Sequence, residues 1–156
     1  DEESRAIAHH FFTLLGNIAR QEGVVICLEP NPECYGANFM TSSAETAEMV
    51  RFIDHSAIKM QLDTGAIAIN QEDVTQVISG NVDIIGHVHL SEPNLIPLGR
   101  SEVNHAEVAE VLNRLLPQSI ATIEMLVPKE ENALTAIDAS LSFVTEHYRH
   151  ALGDVS

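Results

Sequence analysis

Apolar residues recur along this chain with two different periods, and the alternation between them predicts its elements. In residues 4–21, Ile7, Phe11, Leu14, Leu15 and Ile18 share the spacing of one helix face. Gly23 closes that helix, and GVVICLEP, residues 23–30, reads as a short buried strand. Residues 42–54 read as the next helix, opened by Ser42 or Ser43, with Glu45 and Glu48 in early turns where the positive end of the helix dipole favours acids. IKMQLDTG, residues 58–65, is the second strand, and a helical stretch follows over 71–79. VDIIGHVHLSE, residues 82–92, is the third strand; Asn104 then caps a helix that runs to about Leu116, before Pro117. SIATIEMLVP, residues 119–128, is the fourth strand, and residues 131–151 form a long last helix.

Helix and strand alternating at intervals of roughly 30 residues is the pattern of βαβ units around a parallel sheet. The fold class is therefore α/β. Within it, an open doubly wound sheet places chemistry at a switch point of the strand order. A (β/α)8 barrel instead lets every strand offer a residue at its C-terminal end.

The strand ends favour the barrel. VVICLEP ends with Glu29, KMQLDTG with Asp63, IGHVHLSE with His89, and ATIEML carries Glu124 near its end. Taken singly, each has a plainer reading, since a strand-end histidine packs or meets solvent and an acid there caps a helix or anchors a loop. Together they put a metal-ligand side chain at the end of each apolar strand, where charge is costly unless paired or metal-bound. Residues two apart share a strand face, so Cys27, Gln61, His87 and Thr122 form a second layer beneath the four, suited to orienting them. His89 is then the ligand and His87 its support or a near-substrate group. His9, His10, His55, His105, His147 and His150 read as surface or packing residues.

Composition narrows the partners. The formal charge is -15, from 8 Lys plus Arg against 23 Asp plus Glu, with no basic cluster, so nucleic acid is not an expected partner. No run approaches the roughly 20 apolar residues of a membrane span, and none is expected to meet a membrane. Two cysteines, Cys27 and Cys34, not at CxxC spacing, suit a reducing, cytoplasmic setting. The chain opens without methionine, already in a helix, and reads as a piece of something longer.

The stretches LEPN at 28–31, QLDTG at 61–65, GHVHLSEPN at 86–94 with PLGR after it, and TIEM at 122–125 resemble the sugar phosphate isomerase/epimerase family of xylose isomerase-like TIM barrels. Relatives of that family include ketose 3-epimerases, inosose dehydratases and endonuclease IV. The resemblance implies a (β/α)8 TIM-barrel type of which this chain supplies about four βα units, strands five to eight. Residues 1–156 would then be a single domain, the C-terminal half, completed by the missing N-terminal half-barrel or by a homo-oligomer. It implies Glu29, Asp63, His89 and Glu124 as ligands of one divalent metal ion, for which Mn2+, Mg2+, Co2+ and Zn2+ all suit the donors. Two positions depart from the ketose epimerases: their substrate-contacting histidine is here Ala66, and their substrate-holding arginine is here Leu95.

On this reading the partner is a small sugar or sugar-like polyol. Glu29 and Glu124 are the expected catalytic groups, one abstracting a proton and one returning it through an enediolate, and His87, Glu92 and Arg100 are the expected substrate contacts. The expected activity is isomerase or epimerase. A dehydratase on the same scaffold, or a non-catalytic metal- or sugar-binding remnant, is the alternative.

Overall fold

The computed structural model describes residues 2–149 and shows a parallel four-stranded sheet in chain order, β1 (Ile26–Leu28), β2 (Ile58–Asp63), β3 (Ile85–Leu90) and β4 (Ala121–Ile123). The helices are α1 (Glu2–Gln21), α2 (Ser43–Ile53), α3 (Thr64–Ile69), α4 (Val74–Asn81), α5 (His105–Leu115) and α6 (Ala133–Val144). Sequential parallel strands joined by helices make this part of a (β/α) barrel. Among the described residues no helix is long and apolar enough to cross a membrane.

The caps follow from local chemistry. Ser42, not Ser43, caps α2 by accepting the Glu45 N–H at 3.2 Å, and Asn104 caps α5 through the Glu107 N–H at 3.3 Å. The strands are shorter than the apolar runs predict, because β1 and β4 lie at the sheet edges and pair on one side only. Helix α3 was not expected: Asp63 ends β2 and at once caps a helix, accepting the Ala66 N–H at 2.6 Å. The last helix gives way to a wider turn over Thr145–Arg149; the remainder of its expected span and His150 lie outside the described residues.

Two buried clusters hold helices to sheet. Leu28, Ile58 and Met60 pack on Ala47, Val50 and Ile53 of α2, while Leu62, Val88 and Leu90 pack on Ile78 of α4 and Val108, Val111 and Leu112 of α5. The opposite sheet face carries Gln61, Asp63, His87 and His89. The register sets them side by side, Gln61 opposite His87 and Asp63 opposite His89. That alignment depends on an irregularity at Gly86, where β3 carries one residue more than β2. A Cβ at Gly86 would lie 2.7 Å from the Lys59 Cβ and 2.9 Å from the Cys27 Sγ, which is why glycine opens GHVHL.

Helix α1 departs from its predicted face. It leans on α2 and cluster residues through Ala8, Phe12, Gly16 and Ala19, with Gly16 against the His55 ring. Ile7, Phe11, Leu14 and Ile18 are more than half exposed. The periodicity identified a helix with an apolar stripe, but the described fold leaves that stripe exposed.

Candidate metal and substrate site

Glu29, Asp63, His89 and Glu124 follow or end the four strands on one sheet face. The parallel arrangement brings one ligand atom from each within 4.8 Å of all the others. The His89 Nδ1 lies 2.7 Å from the Glu29 Oε1 and 3.2 Å from the Glu124 Oε2, so one imidazole nitrogen meets both edge carboxylates. Bonds of about 2.0–2.6 Å to a central divalent ion need donor atoms no more than roughly 5 Å apart. The donor set, three carboxylates and one imidazole, fits a hard or borderline cation. Burial, and then the neighbouring Asp63 charge, hold the Glu29 carboxyl above its ordinary range, with His89 opposing.

Asp63 is the most firmly held of the four. Its Oδ1 accepts the Ala66 N–H at 2.6 Å and its Oδ2 accepts the Ser91 hydroxyl at 2.7 Å. Ser91 is fixed in turn: its Oγ accepts the Gly65 N–H at 2.8 Å, and the Thr64 hydroxyl donates to the Ser91 carbonyl at 2.7 Å while accepting the Ser91 N–H at 2.8 Å. A Cβ at Gly65 would come within 2.8 Å of the Ser91 Oγ. Thr64, Gly65 and Ser91 therefore lock the ends of β2 and β3 together around the ligand. Sequence reasoning missed them, and the only signal was a small hydroxyl residue beside the ligand in both DTG and HLSE.

The other expected site residues divide. His87 lies in the layer below His89, its Nε2 2.9 Å from the Thr122 hydroxyl and its ring edge-on to the His89 ring at 5.5 Å. Burial, with the His89 charge, lowers its pKa, which favours a neutral imidazole. The layers are stepped by the strand stagger, so Thr122 pairs in register with His89 rather than His87.

Glu92 departs from its expected role as a substrate contact. Its side chain is fully buried, accepts the Gly99 N–H at 2.7 Å and the Ser101 hydroxyl, and lies 3.3 Å from the His105 Nε2. The His105 Nδ1 lies 2.6 Å from the Tyr148 hydroxyl. Burial holds His105 below the usual histidine range against the Glu92 charge, and burial pushes the Tyr148 phenol well up. A neutral His105 donating to Glu92 and accepting from Tyr148 satisfies all three groups. The carboxylate thus anchors the loop after β3, because turning outward would leave these donors unpaired. Arg100 is likewise engaged, bonding Glu131 with both Nη atoms at 2.7 and 2.6 Å and so clamping the loops after β3 and β4 together.

A cavity of about 370 Å³ opens beside these residues, lined by Glu29, Asp63 and Glu124 together with Pro30, Pro32, Tyr35, Ala66 and Leu95. The Tyr35 hydroxyl accepts the Asn94 N–H at 2.7 Å, tying the loops after β1 and β3 across the mouth.

Residues 1–147 match the family described as xylose isomerase-like TIM barrel. A D-psicose 3-epimerase from Enterocloster bolteae is 28% identical over 93 residues, which cover 60% of this chain and 31% of that protein. Among solved structures, the apo form of the 3-keto-D-glucoside 4-epimerase YcjR from E. coli superposes with a TM-score of 0.82 at 21% identity over 91% of this chain and 53% of that one. A D-psicose 3-epimerase with D-tagatose from Clostridium cellulolyticum H10 gives 0.81 at 19% identity, over 90% and 55%. The chain spans about a third of the length of the curated relatives it matches and about half that of the matched structures.

Proposed function

The chain belongs to the xylose isomerase-like TIM barrel family, and from that premise we propose that it supplies the metal- and proton-handling half of a sugar or polyol epimerase or isomerase. The observation that carries this is the convergence of Glu29, Asp63, His89 and Glu124 within 4.8 Å at the ends of consecutive parallel strands. These four residues would hold one divalent ion. Such an ion, when bound, polarises a substrate carbonyl and its neighbouring hydroxyl and lowers the acidity barrier of the carbon between them.

The chain's own groups do the rest. Glu29 and Glu124 come from the two edges of the sheet and both reach the His89 Nδ1; in this reading one carboxylate removes the proton and the other returns it, a contribution of about 10²- to 10⁴-fold for each positioned acid–base group. Ser91 and Thr64 keep Asp63 oriented, and His87 supports the floor beneath. The D-psicose and 3-keto-D-glucoside epimerase names of the relatives support a keto-sugar as substrate.

The apolar flanks belong to the same reading. Ile7, Phe11, Leu14 and Ile18 of α1 and Val24 and Val25 before β1 are exposed, as are Ile120 before β4, Leu126 after it, and Leu134 and Leu141 of α6. Surfaces of this kind are buried in a finished protein, here by further βα units of the same polypeptide or by a second copy that closes the barrel.

Incubating the Mn2+-loaded protein with a panel of ketohexoses and keto-polyols in D2O tests the activity. Deuterium entering at the carbon beside the carbonyl, with an epimer as product, is the expected result. An unsaturated product sinks the epimerase reading in favour of elimination, and failure of any divalent ion to bind sinks the site itself.

A further inference from the structure

The proposed chemistry leaves one buried carboxylate unused, that of Glu92, and three parts of the fold meet on it. Its Oε1 accepts the Gly99 N–H at 2.7 Å and lies 3.3 Å from the Nε2 of His105, the first residue of α5; its Oε2 accepts the Ser101 hydroxyl. His105 carries the connection to the end of the last helix, its Nδ1 lying 2.6 Å from the Tyr148 hydroxyl.

Two local features bring Tyr148 to that place. In an α-helix, residues five apart are turned by about 140° from one another, whereas the wider turn over Thr145–Arg149 bonds i to i+5 and returns them towards one face. Phe143 and Tyr148 accordingly both meet the His105 ring edge-on, with centroids 5.2 and 5.9 Å away. Gly99 permits the approach, since a Cβ there would lie 2.6 Å from the Phe143 ring.

The other side of Glu92 leads to the metal site. Its chain neighbour Ser91 donates to the Asp63 Oδ2 and accepts the Gly65 N–H, while the Glu92 carbonyl accepts the Leu95 N–H at 2.9 Å. The Leu95 carbonyl in turn accepts, at 2.6 Å, the N–H of Leu126, two residues beyond Glu124. A displaced Glu92 therefore disturbs both the segment that holds Asp63 and the one that follows Glu124.

We propose that Tyr148 and His105 are positioning residues for the metal site: with Glu92 they form a buried relay of phenol, imidazole and carboxylate through which the seating of the last helix sets the orientation of Asp63. The inference rests on the metal-site reading above and deepens it, since it makes ion affinity depend on a hydroxyl far from Asp63 in the chain.

Tyr148→Phe tests the relay, because it removes one oxygen and keeps the ring. Mn2+ affinity in calorimetry is expected to fall about 2- to 30-fold, the span of a coupling carried through a packed network. The amide protons of Gly65 and Ala66 should exchange faster than in the wild type, while that of Met60, earlier on the same strand, keeps its rate. Val111→Ala, a packing loss on α5, should leave the affinity unchanged. Unchanged affinity in Tyr148→Phe, exchange that rises equally at Met60, or an equal fall in Val111→Ala overturns the relay while the metal site stands. A wild-type protein that binds no Mn2+ sinks the metal-site reading, and exchange at Gly65 and Ala66 then decides the relay by itself.

Discussion

Asp63 and His89 stand on the two central strands, each six residues long and paired on both sides, whereas Glu29 and Glu124 follow edge strands of three residues. The difference extends to their surroundings. Asp63 is 7% exposed with both oxygens bonded to Ala66 and Ser91; the Glu29 and Glu124 side chains are 39% and 37% exposed, and among the described residues their ion-pair contact is His89. The central pair is the more tightly fixed by hydrogen bonds and strand pairing. The flanking carboxylates are the more exposed, and exposed apolar side chains such as Val25 and Leu126 lie near them in the chain.

The largest expected effect falls on the centre. His89→Ala should remove divalent-ion binding in calorimetry, a loss beyond the 10- to 100-fold typical of a supporting residue; retention of full affinity would refute the four-ligand site. Next comes packing. Leu62→Ala, under the central ligands and fully buried, should cost about 2–5 kcal/mol in denaturant unfolding. Phe11→Ser, on the flank and 56% exposed, should change stability by no more than about 0.5 kcal/mol if that face is open. A loss from Phe11→Ser comparable with that from Leu62→Ala would show instead that the flank is covered in solution, and would sharpen the contrast into one between core and interface.

Smaller effects probe what supports the centre. Ser91→Ala removes the hydroxyl on the Asp63 Oδ2 and should lower metal affinity about 10- to 100-fold, with the apo protein's melting temperature reporting any separate packing loss. An unchanged affinity would mean that the Ala66 N–H alone orients Asp63. The smallest effect belongs to His105. Its folded pKa lies below the unfolded one, so the unfolded chain binds the extra proton and stability rises with pH across that window. Stability should therefore fall as pH drops from about 7 through the ordinary histidine range near 6.5, and His105→Gln should flatten that slope; an identical slope in the variant would show that His105 is not buried in neutral form.

Much of this was legible in residues alone, for identifiable reasons. Period-2 runs ending in an acid or a histidine locate the four side chains that converge at the strand ends, because a charge closing an apolar strand needs a partner. Caps at Ser42 and Asn104 were readable from residue type. The face of α1 was not, since a helical stripe says that a surface wants burial and not which neighbour supplies it. Nor were the roles of Glu92 and Arg100: a loop acid and a loop arginine read as substrate contacts until Gly99, Ser101, His105 and Glu131, all at least seven residues away in the chain, are seen to occupy them.

The sequence by itself therefore determined the element order, the parallel α/β class and the identity of the four convergent side chains, since these depend on periodicity and on the chemistry of single residues. Only the tertiary structure decided that an extra residue at Gly86 aligns His87 with Gln61 and His89 with Asp63, that Ser91 locks Asp63, and that Glu92 is a buried anchor. Register, burial and hydrogen-bond partnership join residues far apart in the chain, and no local pattern carries them.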